Sequence, residues 1–182
     1  MGRTTRQKGM VHLLEAMKHI PPPTRLVCCT SAPDTPEVEA EIAAKVAEVP
    51  DRVLWINTLL REDQYIELYS HARVFACPSV YEPFGIINLE AMACERPVVA
   101  SAVGGIKEVV VPGETGLLVP PAEPVALAEA LKKVLADRDL ALEMGKKGRK
   151  RVEERFSWTS IARQTREMYE GLLQERGRFP KS

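Results

Sequence analysis

The strongest constraint on this fold is an alternation. From the start of the chain to Pro120, short runs rich in β-branched and apolar residues take turns with segments of helical period, the pattern of βαβ units wound around a parallel sheet. The spacing of Met10, Leu13, Leu14 and Met17 predicts a helix that Pro21 to Pro23 stop. Arg25 to Thr30 then reads as a buried strand, with a helix from Pro36 to Val49 and a strand from Arg52 to Ile56. Glu62 to His71 reads as helix, Val74 to Cys77 as strand, Gly85 to Cys94 as helix and Pro97 to Ser101 as strand. A short helix from Gly105 and a strand from Gly116 to Val119 follow. The expected fold class is therefore α/β, a Rossmann-like parallel sheet flanked by helices.

From Pro124 the strand signal ends. Leu127, Leu131, Val134 and Leu135 form one helical stripe, and Trp158, Ile161, Thr165, Met168, Tyr169 and Leu172 form another, within a helix expected over 158–173. Trp158 and Tyr169 lie on that second stripe and are expected to be core. The opening Gly2-Arg3 reads as a loop with no strand before it, although such a loop-to-helix start normally follows a first β-strand. The expectation is one domain over 1–182 that belongs to a longer protein, with its first strand and an N-terminal partner domain outside it.

Composition narrows the ligand. The 25 basic and 25 acidic residues balance, so no overall field draws the chain to nucleic acid or an anionic membrane. The cysteines are Cys28, Cys29, Cys77 and Cys94; none is spaced as a zinc or redox pair, and three sit in apolar runs, as reduced core thiols do. No leader and no membrane-length apolar run is seen, which points to the cytoplasm.

The segment Tyr81-Glu82-Pro83-Phe84-Gly85-Ile86-Ile87-Asn88-Leu89-Glu90 carries the most chemistry. Pro83 favours a turn, and Gly85 allows close backbone approach where a helix begins with free N–H groups, an arrangement that suits an anion. An ordinary strand-to-helix turn is the competing reading. Eight helical residues advance about 12 Å, too far for the roughly 5 Å pair of a retaining glycosidase or the under-10 Å pair of an inverting one. Glu82 and Glu90 fit better as acceptors for hydroxyls at opposite ends of a ligand whose diphosphate lies between them. The loop Gly2 to Gly9 adds Arg3 and Lys8, a guanidinium fork and a point charge for phosphate oxygens, or else merely a solvated basic loop.

Three blocks make these features specific. Gly2-Arg3-x-x-x-Gln7-Lys8-Gly9, the Glu82-x7-Glu90 frame, and Val103-Gly104-Gly105-Ile106 with Gly113 to Pro120 resemble the retaining, GT-B-fold glycosyltransferases of the glycogen synthase type. The resemblance runs from Gly2 to about Leu173 in the order of that family's C-terminal domain. Ala32 to Glu37 and Pro78 to Glu90 further resemble the actinobacterial-type glycogen synthases, some of which make maltose 1-phosphate.

The resemblance implies a donor site here and an acceptor site in the partner domain. Arg3 and Lys8 would bind the diphosphate with help from the Phe84-Gly85 turn and the Gly85, Ile86 and Ile87 amides. Glu90 would hold the ribose hydroxyls, Glu82 would meet the hexose near its reacting end as the catalytic residue, and Gly104 and Gly105 would line the same cleft. The donor would be ADP-glucose or UDP-glucose and the acceptor an α-1,4-glucan. No metal or other cofactor is implied, because preorganised cations and amides can meet the leaving diphosphate's charge.

Asp137-Arg138-Asp139 imitates a metal-binding Asp-x-Asp but sits between two tail helices, where Asp is a common N-cap. His12, His19 and His71 read as solvated or capping. The sequence departs from the family where Glu95 replaces a customary Gly in Cys94-Glu95-Arg96-Pro97, and where Lys107 replaces a customary Pro. A helix ending at Cys94 is expected to hold Glu95 at positive φ. Other readings remain open at this level: a mannosyl-, sucrose- or trehalose-type transferase, a nucleotide-sugar epimerase, or a non-catalytic nucleotide-sugar module. A dinucleotide oxidoreductase is disfavoured, since no Gly-x-Gly-x-x-Gly follows a strand.

Overall fold

A computed structural model describes residues 2–176, without the side chains of residues 2, 3, 31, 32, 175 and 176. Among the described residues, six strands form two parallel sheets. The first has the order β1 (Gly2–Thr4), β2 (Leu26–Pro33), β3 (Val53–Ile56), and the second the order β4 (Phe75–Cys77), β5 (Val98–Ser101), β6 (Gly116–Val119). The helices are α1 (Met10–Met17), α2 (Pro36–Ala47), α3 (Glu62–His71), α4 (Ile86–Ala93), α5 (Ile106–Val109), α6 (Pro124–Ala136), α7 (Arg138–Arg151) and α8 (Trp158–Arg176). A 3₁₀ turn covers Arg6–Lys8, and a π-helical turn, Val152–Phe156, joins α7 to α8.

Alternation along β5 sets the layers. Val99 faces a cluster with Leu13 and Met17 of α1, Leu127 and Leu131 of α6 and Met144 of α7. Its neighbours Val98 and Ala100 face the opposite way, into a cluster with Tyr69 of α3, Met92 of α4 and Ile106 of α5. β5 is buried throughout, the environment that lets a parallel strand be a continuous apolar run. A third cluster joins Met10 and Leu14 of α1 to Cys28 of β2 and Val38 and Ile42 of α2.

Two expectations need correction. Gly2 and Arg3 are not loop: they belong to β1, which pairs in parallel with β2 at Gly2↔Thr30 and Thr4↔Pro33. The α8 stripe is not core either, for Trp158 is 86% exposed and Tyr169 59%. A helical stripe shows which face is apolar and leaves open whether a partner covers it. The stripe of α6, by contrast, is buried at Leu127, Leu131 and Val134. Asp137 caps α7, its side chain accepting from the Leu140 N–H at 2.9 Å. Cys28, Cys29 and Cys77 are buried free thiols, and burial above all pushes the Cys28 pKa up to about 12. No helix among the described residues is long and apolar enough to cross a membrane.

Candidate functional site

The site forms where loops leave the C-terminal ends of β1, β4 and β5, the usual place for a ligand in an open parallel sheet. Backbone contacts tie the three loops together. After β1, the Gln7 carbonyl accepts the Val80 N–H of the loop after β4 at 2.8 Å. After β5, Gly105 shares its N–H between the Glu82 and Pro83 carbonyls, both at 3.2 Å. Gly104 has φ of 45°, and a Cβ there would lie 2.0 Å from the Glu82 carbonyl oxygen, so only glycine fits without moving the turn.

That turn presents Glu82 and starts α4. Glu82 is 7% exposed, and its Oε2 accepts from Lys8 Nζ at 2.6 Å. The buried Ser79 hydroxyl lies 3.5 Å from the same oxygen. A buried carboxylate needs such a partner, because an unpaired charge out of water is costly. Lys8 keeps other N–H donors on its ammonium for a second acceptor.

Gly85 is the N-cap of α4, in the left-handed region at φ of 96°. The Asn88 N–H makes the first intrahelical bond, to the Gly85 carbonyl at 2.9 Å, so the Ile86 and Ile87 amides lie ahead of the helical ladder. The fully buried Asn88 side chain also donates to that carbonyl, at 3.2 Å, and steadies the start. Phe84, 41% exposed, packs edge-on against Phe156 with ring centroids 6.2 Å apart.

Glu90 lies one turn further along α4 and is exposed, with Oε2 accepting from the Tyr69 hydroxyl at 2.9 Å. Burial foremost, then the Glu90 charge, pushes the Tyr69 pKa upward, so the phenol remains a donor.

The structure thus brings Lys8, Glu82, the start of α4 and Gly104-Gly105 together. Gly105 is buried with its N–H already engaged, which makes it a support for the Glu82 turn. The Arg3 side chain lies outside the described residues. Sequence reasoning missed Ser79, Asn88 and Tyr69. Asn88 carried a faint signal as an amide among apolar helix residues, whereas the 21-residue separation of Tyr69 from Glu90 left none.

Known proteins share this arrangement of chain. Residues 1–151 match the family model described as Glycosyl transferases group 1. An alpha-maltose-1-phosphate synthase of Mycolicibacterium smegmatis is 49% identical over 178 residues, covering 93% of this chain and 46% of that protein. The chain therefore spans about half the length of the curated relative it matches. Sucrose-phosphate synthase from Thermosynechococcus elongatus superposes with a TM-score of 0.83 at 42% identity, over 96% of this chain and 45% of that one. Anabaena HepE, solved in complex with UDP and glucose, gives a TM-score of 0.82 at 26% identity, over 93% of this chain and 47% of that one. The parallel sheets flanked by helices match GT-B glycosyltransferase structures. The chain belongs to the glycosyl transferases group 1 family.

Proposed function

We propose that this chain is the donor-binding half of a retaining glycosyltransferase that passes glucose from ADP-glucose or UDP-glucose to an α-1,4-glucan, as a glycogen synthase does. The observation that carries the reading is the pairing of Lys8 with the buried Glu82 at 2.6 Å beside the start of α4, which sets a cation, a carboxylate and free amides around one point. In this reading the diphosphate lies across Lys8 and the Ile86 and Ile87 amides, with Arg3 as a second cation. As the bond to the sugar breaks, these fixed dipoles and charges meet the growing negative charge on the diphosphate. Glu82 faces the hexose beside the reacting carbon and accepts from its hydroxyls. Glu90 accepts from the ribose hydroxyls with one oxygen already occupied by Tyr69. The HepE complex with UDP and glucose supports a nucleotide-sugar ligand, and the synthase of M. smegmatis supports a second reading, in which the glucosyl unit passes to glucose 1-phosphate and gives maltose 1-phosphate as the nucleoside diphosphate leaves.

Calorimetry with ADP-glucose, UDP-glucose and GDP-mannose tests the donor. One glucosyl nucleotide is expected to bind, and its free diphosphate to bind without the sugar. Absence of binding by all three, in a chain shown to be folded, would remove the donor reading. The isolated 182 residues are expected to transfer no sugar, and elongation of a glucan by them alone would refute the division into halves.

A further inference from the structure

The turn from Glu82 to Gly85 is held from two directions. One is α5. Gly105 at its start bonds the Glu82 and Pro83 carbonyls and lies so close to the turn that a Cβ there would be 2.6 Å from the Phe84 Cα. The Val109 N–H bonds back to the Gly105 carbonyl at 3.2 Å, so this single helical turn has its far end at Glu108 and Val109. Arg151, the last residue of α7, meets that end: its Nη2 donates to the Glu108 carbonyl at 2.6 Å and its Nε to the Val109 carbonyl at 2.9 Å. The last carbonyls of a helix lack intrahelical partners, and a guanidinium fork satisfies two neighbours at once. The second direction is Phe156, whose ring stands edge-on behind Phe84. Arg151 reaches this ring as well, its guanidinium carbon 5.6 Å from the centroid, within cation–π distance.

Local backbone geometry makes that second contact possible. Residues five apart in an α-helix lie about 140° apart around the axis, so Arg151 and Phe156 would point away from each other in a continued α7. The π-helical turn Val152–Phe156 is wound one residue wider, which brings Phe156 back over Arg151. Such turns are rare and recur at functional sites. Burial also separates this arrangement from ordinary core. A contact serving stability alone gains most from full burial, yet Phe84 is 41% exposed and Arg151 and Phe156 are only half-buried. What the contacts do fix is the orientation of a turn that leads straight into the Ile86 and Ile87 amides.

We propose that Arg151 and Phe156 are positioning residues for the candidate donor site, a brace that holds the Glu82–Gly85 turn through α5 on one side and through Phe84 on the other. Neither touches the ligand. They act by keeping the start of α4 in one orientation, so that its free amides meet a diphosphate without first being ordered. The role in binding rests on the donor reading given above, whereas the bracing of the turn can be measured with no ligand present.

The test compares Phe156→Leu, Phe156→Tyr and Arg151→Met with Val134→Ala, a cavity in the buried face of α6 away from the brace. Two quantities are read at a temperature where all are folded. The first is the 15N order parameter of the Phe84, Gly85, Ile86 and Ile87 amides in the free chain. In Phe156→Leu and Arg151→Met it should fall from about 0.85 towards 0.6, while Phe156→Tyr, which keeps the ring, and Val134→Ala leave it unchanged. The second is calorimetric affinity for ADP and UDP, which should weaken about fivefold to twentyfold in Phe156→Leu and Arg151→Met alone, the scale of one lost aromatic or cation–π contact. Should Phe156→Leu fail to fold, Arg151→Met carries the test. Unchanged order at Phe84–Ile87 in the folded brace variants would overturn the proposal. So would a loss of affinity in Val134→Ala as large as theirs, because binding would then be following general stability. If the unsubstituted chain binds neither nucleotide, the donor reading fails, and the order parameters alone decide whether the brace exists.

Discussion

At its N-terminus α4 starts on Gly85 with free amides, a buried Glu82 and Lys8 beside them, whereas at its C-terminus the last carbonyls are met by donors from the protein itself. There Glu95 stands at φ of 57°, its N–H bonded to the Met92 carbonyl and the Arg96 N–H to the Ala91 carbonyl, both at 3.0 Å. This is the Schellman closure, with a glutamate where glycine is usual. The Ala93 carbonyl accepts from Arg149 at 2.5 Å and the Cys94 carbonyl from Arg96 at 2.9 Å, cations that suit the negative end of the helix dipole. α7 seals this end, with Gly145 so close that a Cβ would lie 2.1 Å from the Glu95 carbonyl oxygen. One helix therefore has an end left open for chemistry and an end saturated for stability, and substitutions at the two ends should separate binding from folding.

The largest expected effects come from the two glycines that hold the ends. Gly145→Ala and Gly104→Ala each force backbone atoms apart and should cost about 2–4 kcal/mol, measured by denaturant unfolding. Only Gly104→Ala should also weaken nucleotide binding, at temperatures where both variants stay folded, because it displaces the Glu82 turn. Equal losses of affinity in the two variants would break the contrast.

Tyr69→Phe sharpens the open end. Removing a donor to a charged acceptor should reduce the preference for a ribonucleoside diphosphate over its 2′,3′-dideoxy analogue by about threefold to tenfold. A purely structural role would lower Tm and leave that preference alone. Calorimetry with the two ligands distinguishes these outcomes.

Glu95→Gly probes the closed end and gives the smallest effect. Relief of the left-handed strain is worth about 1 kcal/mol and removal of a carboxylate from the helix C-terminus a few tenths, offset by about half that total through glycine's freedom in the unfolded chain. A rise in Tm of about 1–3 °C with unchanged nucleotide affinity is expected. A fall in Tm would show that Glu95 makes a compensating contact.

The positive φ of Glu95 was legible because the rule that a helix stopping before Pro97 needs a left-handed residue is local. The same locality explains why α3 occupies Glu62–His71 and β6 Gly116–Val119, as their periods and flanking turns indicate. What escaped the sequence was long-range. Lys8 and Glu82 are 74 residues apart, so each was visible as a candidate charge but their pairing was not. β1 was hidden because three residues are too few to show a period, and its strand character comes from pairing with β2. The exposed Trp158 shows the opposite failure, a clear local pattern without a covering partner among the described residues.

The most direct test of the open end is calorimetry of the 182-residue chain with ADP against adenosine and UDP against uridine, repeated on Lys8→Ala. Loss of a charge-assisted contact should weaken the bound diphosphate by about 10–100-fold and leave the matching nucleoside unchanged. Equal losses for diphosphate and nucleoside, or no loss for either, would take Lys8 out of the site and leave the start of α4 an ordinary turn.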